Sequence, residues 1–219
     1  MAEQSGGGSV ALKPLILVPA VITFAITLLR LVGELLEWSP RFFSREPGGA
    51  AALVGIVWLV PIFGAYFAAK LIKMGHDPSG AGPVFGWAFL GLLAFIGAGF
   101  LGRALGLGGR RFILLFAVAS ILAIVLAYRG WPALGRVLIA YGLAARVPVA
   151  ALMLVAILAN WGTHYEKGPP SFPKLGAVMT WFWIGLVPQL TLWIGFTVVV
   201  GALCGGVAAL VTRRSSSGS

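Results

Sequence analysis

The chain reads as an all-α, polytopic transmembrane helical bundle of about six spans, some of them broken by proline. Three features lead there. Apolar stretches long enough to cross a bilayer follow one another from Pro14 to Val211. Hydrophobic residues make up 59% of the chain and charged ones only 10%, and the mean hydropathy is +0.98. Nearly all of that charge falls in short connections between the stretches. A soluble protein of 219 residues cannot hide so much apolar surface, because its helices need a polar face for water.

The expected organisation is a disordered N-terminal arm over residues 1–13, one transmembrane domain over 14–211, and a tail over 212–219. The SSSGS end of that tail reads as a cloning remnant. The arm has no basic region and no small-residue cleavage site after a short apolar core, so Pro14–Leu36 is taken as a retained first span. A crossing helix needs about 20 apolar residues. By that measure span 2 covers Ala50–Ile72, span 3 Val84–Leu105 and span 4 Phe112–Tyr128.

Pro132–Trp161 is too long for one straight crossing, and Pro148 can kink it. We therefore expect Trp131–Arg146 to enter at the interface or steeply tilted, with Val147–Trp161 as the apolar remainder of span 5. Ala177–Val211, interrupted by Pro188 and Gln189, is expected to be a tilted, broken sixth span, or two spans if it divides. Tryptophans 38, 131, 161, 181 and 183 sit near span ends, where an aromatic belt belongs.

The formal net charge of +10 calls for no nucleic acid, since the basic residues lie at span ends beside phosphate headgroups. They divide seven to seven between the two faces, with Arg30 and Arg146 inside spans, so the orientation stays open. The expected location is a bacterial inner (plasma) membrane, crossed several times. Cys204 is the only cysteine, which excludes an intrachain disulfide.

Asp77 is the only aspartate, which removes paired-aspartate proteases and aspartate-rich magnesium sites. His76 and His164 fall in loops on opposite faces and cannot share a metal or an acid–base task. No zinc-protease, nucleophile-elbow, phosphate-loop or dinucleotide motif occurs. We expect no catalytic residue, no metal and no cofactor, and favour a noncovalent role.

Three constellations carry polar chemistry. Arg30, Glu34 and Glu37 share one helical stripe, either turned inward or snorkelling at the span's end. Arg146 lies just before Pro148, where it would pair with Glu34 or meet an anionic headgroup or substrate. Trp58, Pro61 and Tyr66 in span 2 mirror Trp183, Pro188, Gln189 and Thr191 in span 6, as proline-interrupted helices with nearby aromatics do at transporter sites. The loop His164-Tyr165-Glu166-Lys167 reads as a gate, a proton-responsive lid, a docking epitope or a plain connector.

The leading expectation is a protein that binds or transports a small anionic or lipidic ligand, in a cavity lined by Arg30, Glu34, Trp58, Tyr66, Arg146 and Gln189. The surplus of intramembrane arginine over acid points to an anion. One alternative is a structural or sensory subunit that binds lipid or partner helices. Another is an interfacial enzyme using His164 and Glu166. The expected partners are the bilayer, the ligand, and a second copy through glycine-rich faces such as Gly82-x3-Gly86, Gly102-x3-Gly106 and Gly201-x3-Gly205.

Overall fold

A computed structural model describes the backbone of residues 10–47, 52–169 and 172–216, with side chains to residue 212. Residues 1–9 of the expected arm, 50–51 of the expected second span and 217–219 of the tail lie outside the described residues. Helix α1 covers Leu12–Leu35, α2 Leu59–Lys73, α3 Ala81–Ala104, α4 Gly109–Gly130 and α5 Pro132–Ala159. The last crossing is assembled from α6 (Ala177–Thr180), a π-helical stretch over Trp181–Leu186, α7 (Val187–Leu190) and α8 (Leu192–Ser216). Successive crossings alternate in direction, so the connections around 36–58, 105–108 and 160–176 share one membrane face, called here the upper face. The protein is an all-helical, multi-pass membrane protein, and the bundle fits about six spans.

The expected division of span 5 does not occur. From Pro132 to Ala159 the backbone stays helical through Pro148, and Trp131–Arg146 forms no separate interfacial segment. Pro132 opens the helix at a position where its missing N–H costs nothing. At about 1.5 Å per residue the helix is ~42 Å long, enough to cross with both ends in the headgroup layers. Helix α2 departs in the other direction: residues 52–58 are not helical, so Pro61 falls in the first turn and opens α2 instead of breaking it. The final crossing is broken as expected. Pro188 follows the π-helical stretch, and Thr191 leaves regular geometry at φ −116° before α8 begins.

Lipid tails are as apolar as leucine, so packing rather than hydrophobic burial holds such helices together. The lower half is packed backbone to backbone. A Cβ on Gly64 of α2 would lie 2.6 Å from the Gly201 Cα of α8, and one on Gly205 would lie 2.6 Å from Leu134 of α5. Phe67, Leu71, Leu134 and Leu138 fill the remaining space and are fully buried. The glycine pair 201/205 is thus spent inside the bundle. Gly82 and Gly86 meet open space, Gly102 seats the Phe112 ring, and Gly106 ends α3 at φ +59°. Gly64→Ala should lower stability by about 1–3 kcal/mol through overpacking, while Gly82→Ala should change it by less than ~0.5 kcal/mol. Thermal denaturation of the purified variants in detergent checks both.

Candidate functional site

Four residues of α1 face inward on one stripe. Thr23, Thr27, Arg30 and Glu34 are 1%, 3%, 6% and 1% exposed, at spacings of four, three and four that hold one helical face. Each threonine hydroxyl donates to the carbonyl one turn earlier, Thr23 to Pro19 at 2.8 Å and Thr27 to Thr23 at 2.9 Å. The Thr23 hydroxyl also shares a 2.8 Å hydrogen bond with the Tyr141 hydroxyl, tying α1 to α5.

Glu34 is the hub of the stripe. Its Oε1 accepts from Arg30 Nε at 2.9 Å and pairs with His164 Nδ1 at 2.5 Å, while its Oε2 accepts the His164 backbone N–H at 2.8 Å. Arg45 folds back to donate to the Glu34 backbone carbonyl, which also accepts the Glu37 N–H at 3.3 Å where α1 ends. Glu37 does not join the stripe. The helix has ended, Glu37 sits at φ 55°, and its exposed carboxylate pairs with Arg45 at 3.1 Å.

The 160–169 connection is pinned to α1. Asn160 closes α5 in the left-handed conformation at φ 51°, and Gly162 turns the chain again at φ +70°. His164 then docks on Glu34, and the buried Tyr165 donates from its hydroxyl to the Thr27 carbonyl at 3.1 Å. Glu166 is turned back onto the Gly162 N–H, so the carboxylate partner of His164 is Glu34 and not Glu166. Burial depresses the His164 pKa below its ordinary 6.5, and the Arg30 and Lys167 charges add to this against the pull of Glu34. At neutral pH the ring is therefore uncharged and donates its Nδ1 proton to Glu34. Burial also pushes the Tyr165 hydroxyl above its ordinary range, keeping it a neutral donor.

Beneath this connection lies a cavity of about 510 Å³ that opens toward the upper face, within the ~300–1,000 Å³ usual for small-molecule sites. Arg30, Ile56, His164 and Lys167 stand near its mouth. A Cβ on Gly55 would come within 3.3 Å of Arg30 Nη1, so the non-helical 52–58 segment closes over that guanidinium. Ile26, Phe116, Val149, Met153 and Ile184 form apolar walls. Arg146, Gln189 and Trp193 lie deepest. Arg146 is thirteen residues before the end of α5, about 20 Å below the upper face and near the bilayer midplane.

Arg146 is 4% exposed. Its guanidinium lies over the Trp193 ring, 4.7 Å from the centroid. Among the described residues it has no ion-pair or hydrogen-bond partner, and the pairing with Glu34 suggested by the sequence is pre-empted by Arg30 and His164. A cation at this depth costs at least ~2.5–3.5 kcal/mol. One cation–π contact returns about 0.5–2 kcal/mol, so Trp193 alone does not offset it.

Of the residues expected to line one cavity, Arg30, Arg146 and Gln189 do so, and Glu34 sits directly behind Arg30 and His164. Trp58 and Tyr66 do not. Trp58 precedes α2 and is 64% exposed, and Tyr66 turns outward on α2, with the Lys70 ammonium 5.7 Å from its ring. Trp58 lies outside the helix, and Tyr66 falls beside the inward stripe of α2, which Phe63, Gly64, Phe67 and Leu71 form. Thr23 and Thr27 extend the stripe that Arg30 and Glu34 announced, so their spacing could have marked them. Trp193, Met153 and the inward face of His164 left no sequence signal, because each depends on which helices become neighbours.

Compared with protein-family models, curated proteins and solved structures, the chain matches none. The site is therefore read from its own geometry.

Glu34→Ala should destabilise the protein by about 3–5 kcal/mol, because it removes the one carboxylate that Arg30 and His164 share and unpins the connection. Removing Arg30 as well should restore part of the loss, as a double-mutant cycle on thermal stability would record. The docked connection prefers a neutral histidine, so its stability is complete above pH ~6.5 and declines as pH falls below that value, where the released loop takes up a proton more readily. Hydrogen exchange over residues 162–168, corrected for intrinsic rates, should show protection falling between pH 6.5 and 5. His164→Gln should flatten that profile.

Proposed function

We propose that this membrane protein binds an amphiphilic, singly charged anion in the cavity of Arg146, without covalent chemistry. The observation that carries the reading is the uncompensated charge of Arg146. Arg30 is balanced by Glu34 and His164 is neutral, which leaves Arg146 as the uncompensated charge among the buried groups, with Lys167 a second cation on the cavity lining. One anion restores neutrality at Arg146, and a charge-assisted hydrogen bond to the guanidinium contributes about 1.5–3 kcal/mol. The aliphatic and aromatic walls favour a ligand with an apolar body over a small hydrated ion.

Lys167 at the mouth and Arg30 below it give an approaching anion a graded positive path. Ile184 of the π-helical stretch is on the wall, and Gln189 and Trp193, four residues apart on either side of the Thr191 break, both line the cavity. Irregular backbone at this depth is tolerated where it lines a cavity, and π-helical turns concentrate at functional sites. Broken helices of this kind also suit transport, with the ligand moved between the upper face and the midplane.

The test is binding of dansyl-undecanoate, whose emission rises in apolar surroundings, to the purified protein in maltoside micelles. Arg146→Leu should weaken binding by more than about tenfold, and Arg146→Lys should recover part of it. Tyr66→Phe, outside the cavity, should leave it unchanged. Equal binding by the wild type and Arg146→Leu would remove this function.

A further inference from the structure

Gln189 is 7% exposed and lines the same cavity one turn before Trp193. Its Nε2 donates to the Met153 sulfur at 3.5 Å. A thioether only accepts hydrogen bonds, which fixes the amide with nitrogen toward Met153 and oxygen away from it. The Oε1 left over is enclosed by protein and has no donor, and an occupant of the cavity meets it through a turn of the side chain. An unpartnered buried acceptor is costly, and this one shares its cavity with the unpaired guanidinium of Arg146. The deep end of the cavity therefore asks its occupant for two things: oxygens that accept from Arg146 and a proton to donate to Gln189.

Common anionic headgroups differ in how they meet that demand. A carboxylate has two oxygens, and the fork of an arginine engages both. A sulfate monoester has three terminal oxygens but no proton. A phosphate monoester carrying one proton has two oxygens for the fork and a P–OH for the amide. Near pH 6 about half of such a monoester is singly charged, and the apolar walls around Arg146 disfavour the second charge.

We propose that the cavity recognises a phosphate monoester monoanion, with two oxygens on Arg146 and its P–OH donating to Gln189 Oε1. The proposal rests on the anion-binding reading above and adds the headgroup. The apolar walls favour an alkyl or isoprenoid monoester as the source over free phosphate.

The experiment compares dodecyl phosphate, dodecyl sulfate and inorganic phosphate on the wild-type protein at pH 6, by ligand-induced thermal stabilisation in maltoside micelles. Dodecyl phosphate should bind about tenfold tighter than dodecyl sulfate. Gln189→Leu should bring that ratio close to one, and Arg146→Leu should abolish binding of both amphiphiles. Inorganic phosphate as tight as dodecyl phosphate would keep the headgroup and make the free ion its source. Equal affinity for dodecyl phosphate and dodecyl sulfate in the wild type, with both lost in Arg146→Leu, would overturn the phosphate assignment and leave anion binding standing. No Arg146-dependent binding of any of the three would overturn both.

Discussion

Glu34 has one carboxylate to spend and three donors spend it. Arg30 and both hydrogen-bonding groups of His164 converge on its two oxygens, so nothing remains for the arginine deeper in the bundle. In water such a shortage would be trivial. At the depth of Arg146 a charge keeps its field and loses its hydration, so the distribution of a single acid decides which buried arginine has a carboxylate beside it and which has none. The Glu34 cluster also holds the 160–169 connection against α1, so the same carboxylate shapes the cavity's mouth and leaves its deepest charge unanswered.

The two halves of the bundle are built on different terms. On the lower side, glycines of α2 and α8 meet backbone to backbone, with leucines of α5 locked between them. On the upper side α1 is tied to α5 by the Thr23–Tyr141 bond and to the following connection by Tyr165 and His164. Polar bonds of this kind are worth about 1 kcal/mol each in membranes. They locate the walls of a hollow without filling it, and the dense half beneath supplies the rigidity.

Much of the architecture was legible because a bilayer imposes a length and a polarity on every crossing. The spans α1, α3 and α4 follow from apolar run length alone, and the stripe of Arg30 and Glu34 follows from helical spacing. Two errors in the backbone have local causes. Pro148 was expected to divide span 5, yet neighbouring packing carries the helix through it. Residues 52–58 are as apolar as a helix but run non-helically above Arg30, which takes Trp58 out of the interior, while Tyr66 lies on the outer face of α2. The capture of His164 by Glu34 spans 130 positions in sequence. No periodicity encodes a contact of that range, and the isolation of Arg146 follows from it.

The brevity of α2 has a consequence for the surrounding lipid. Its fifteen residues reach only about 22 Å, against a hydrocarbon thickness of ~30 Å. Ile62 and Trp58 on its outer side are well exposed, so acyl chains beside it must shorten or tilt to match. The remaining ~8 Å of the crossing falls to the non-helical 52–58 segment, whose backbone groups have no helix to satisfy them.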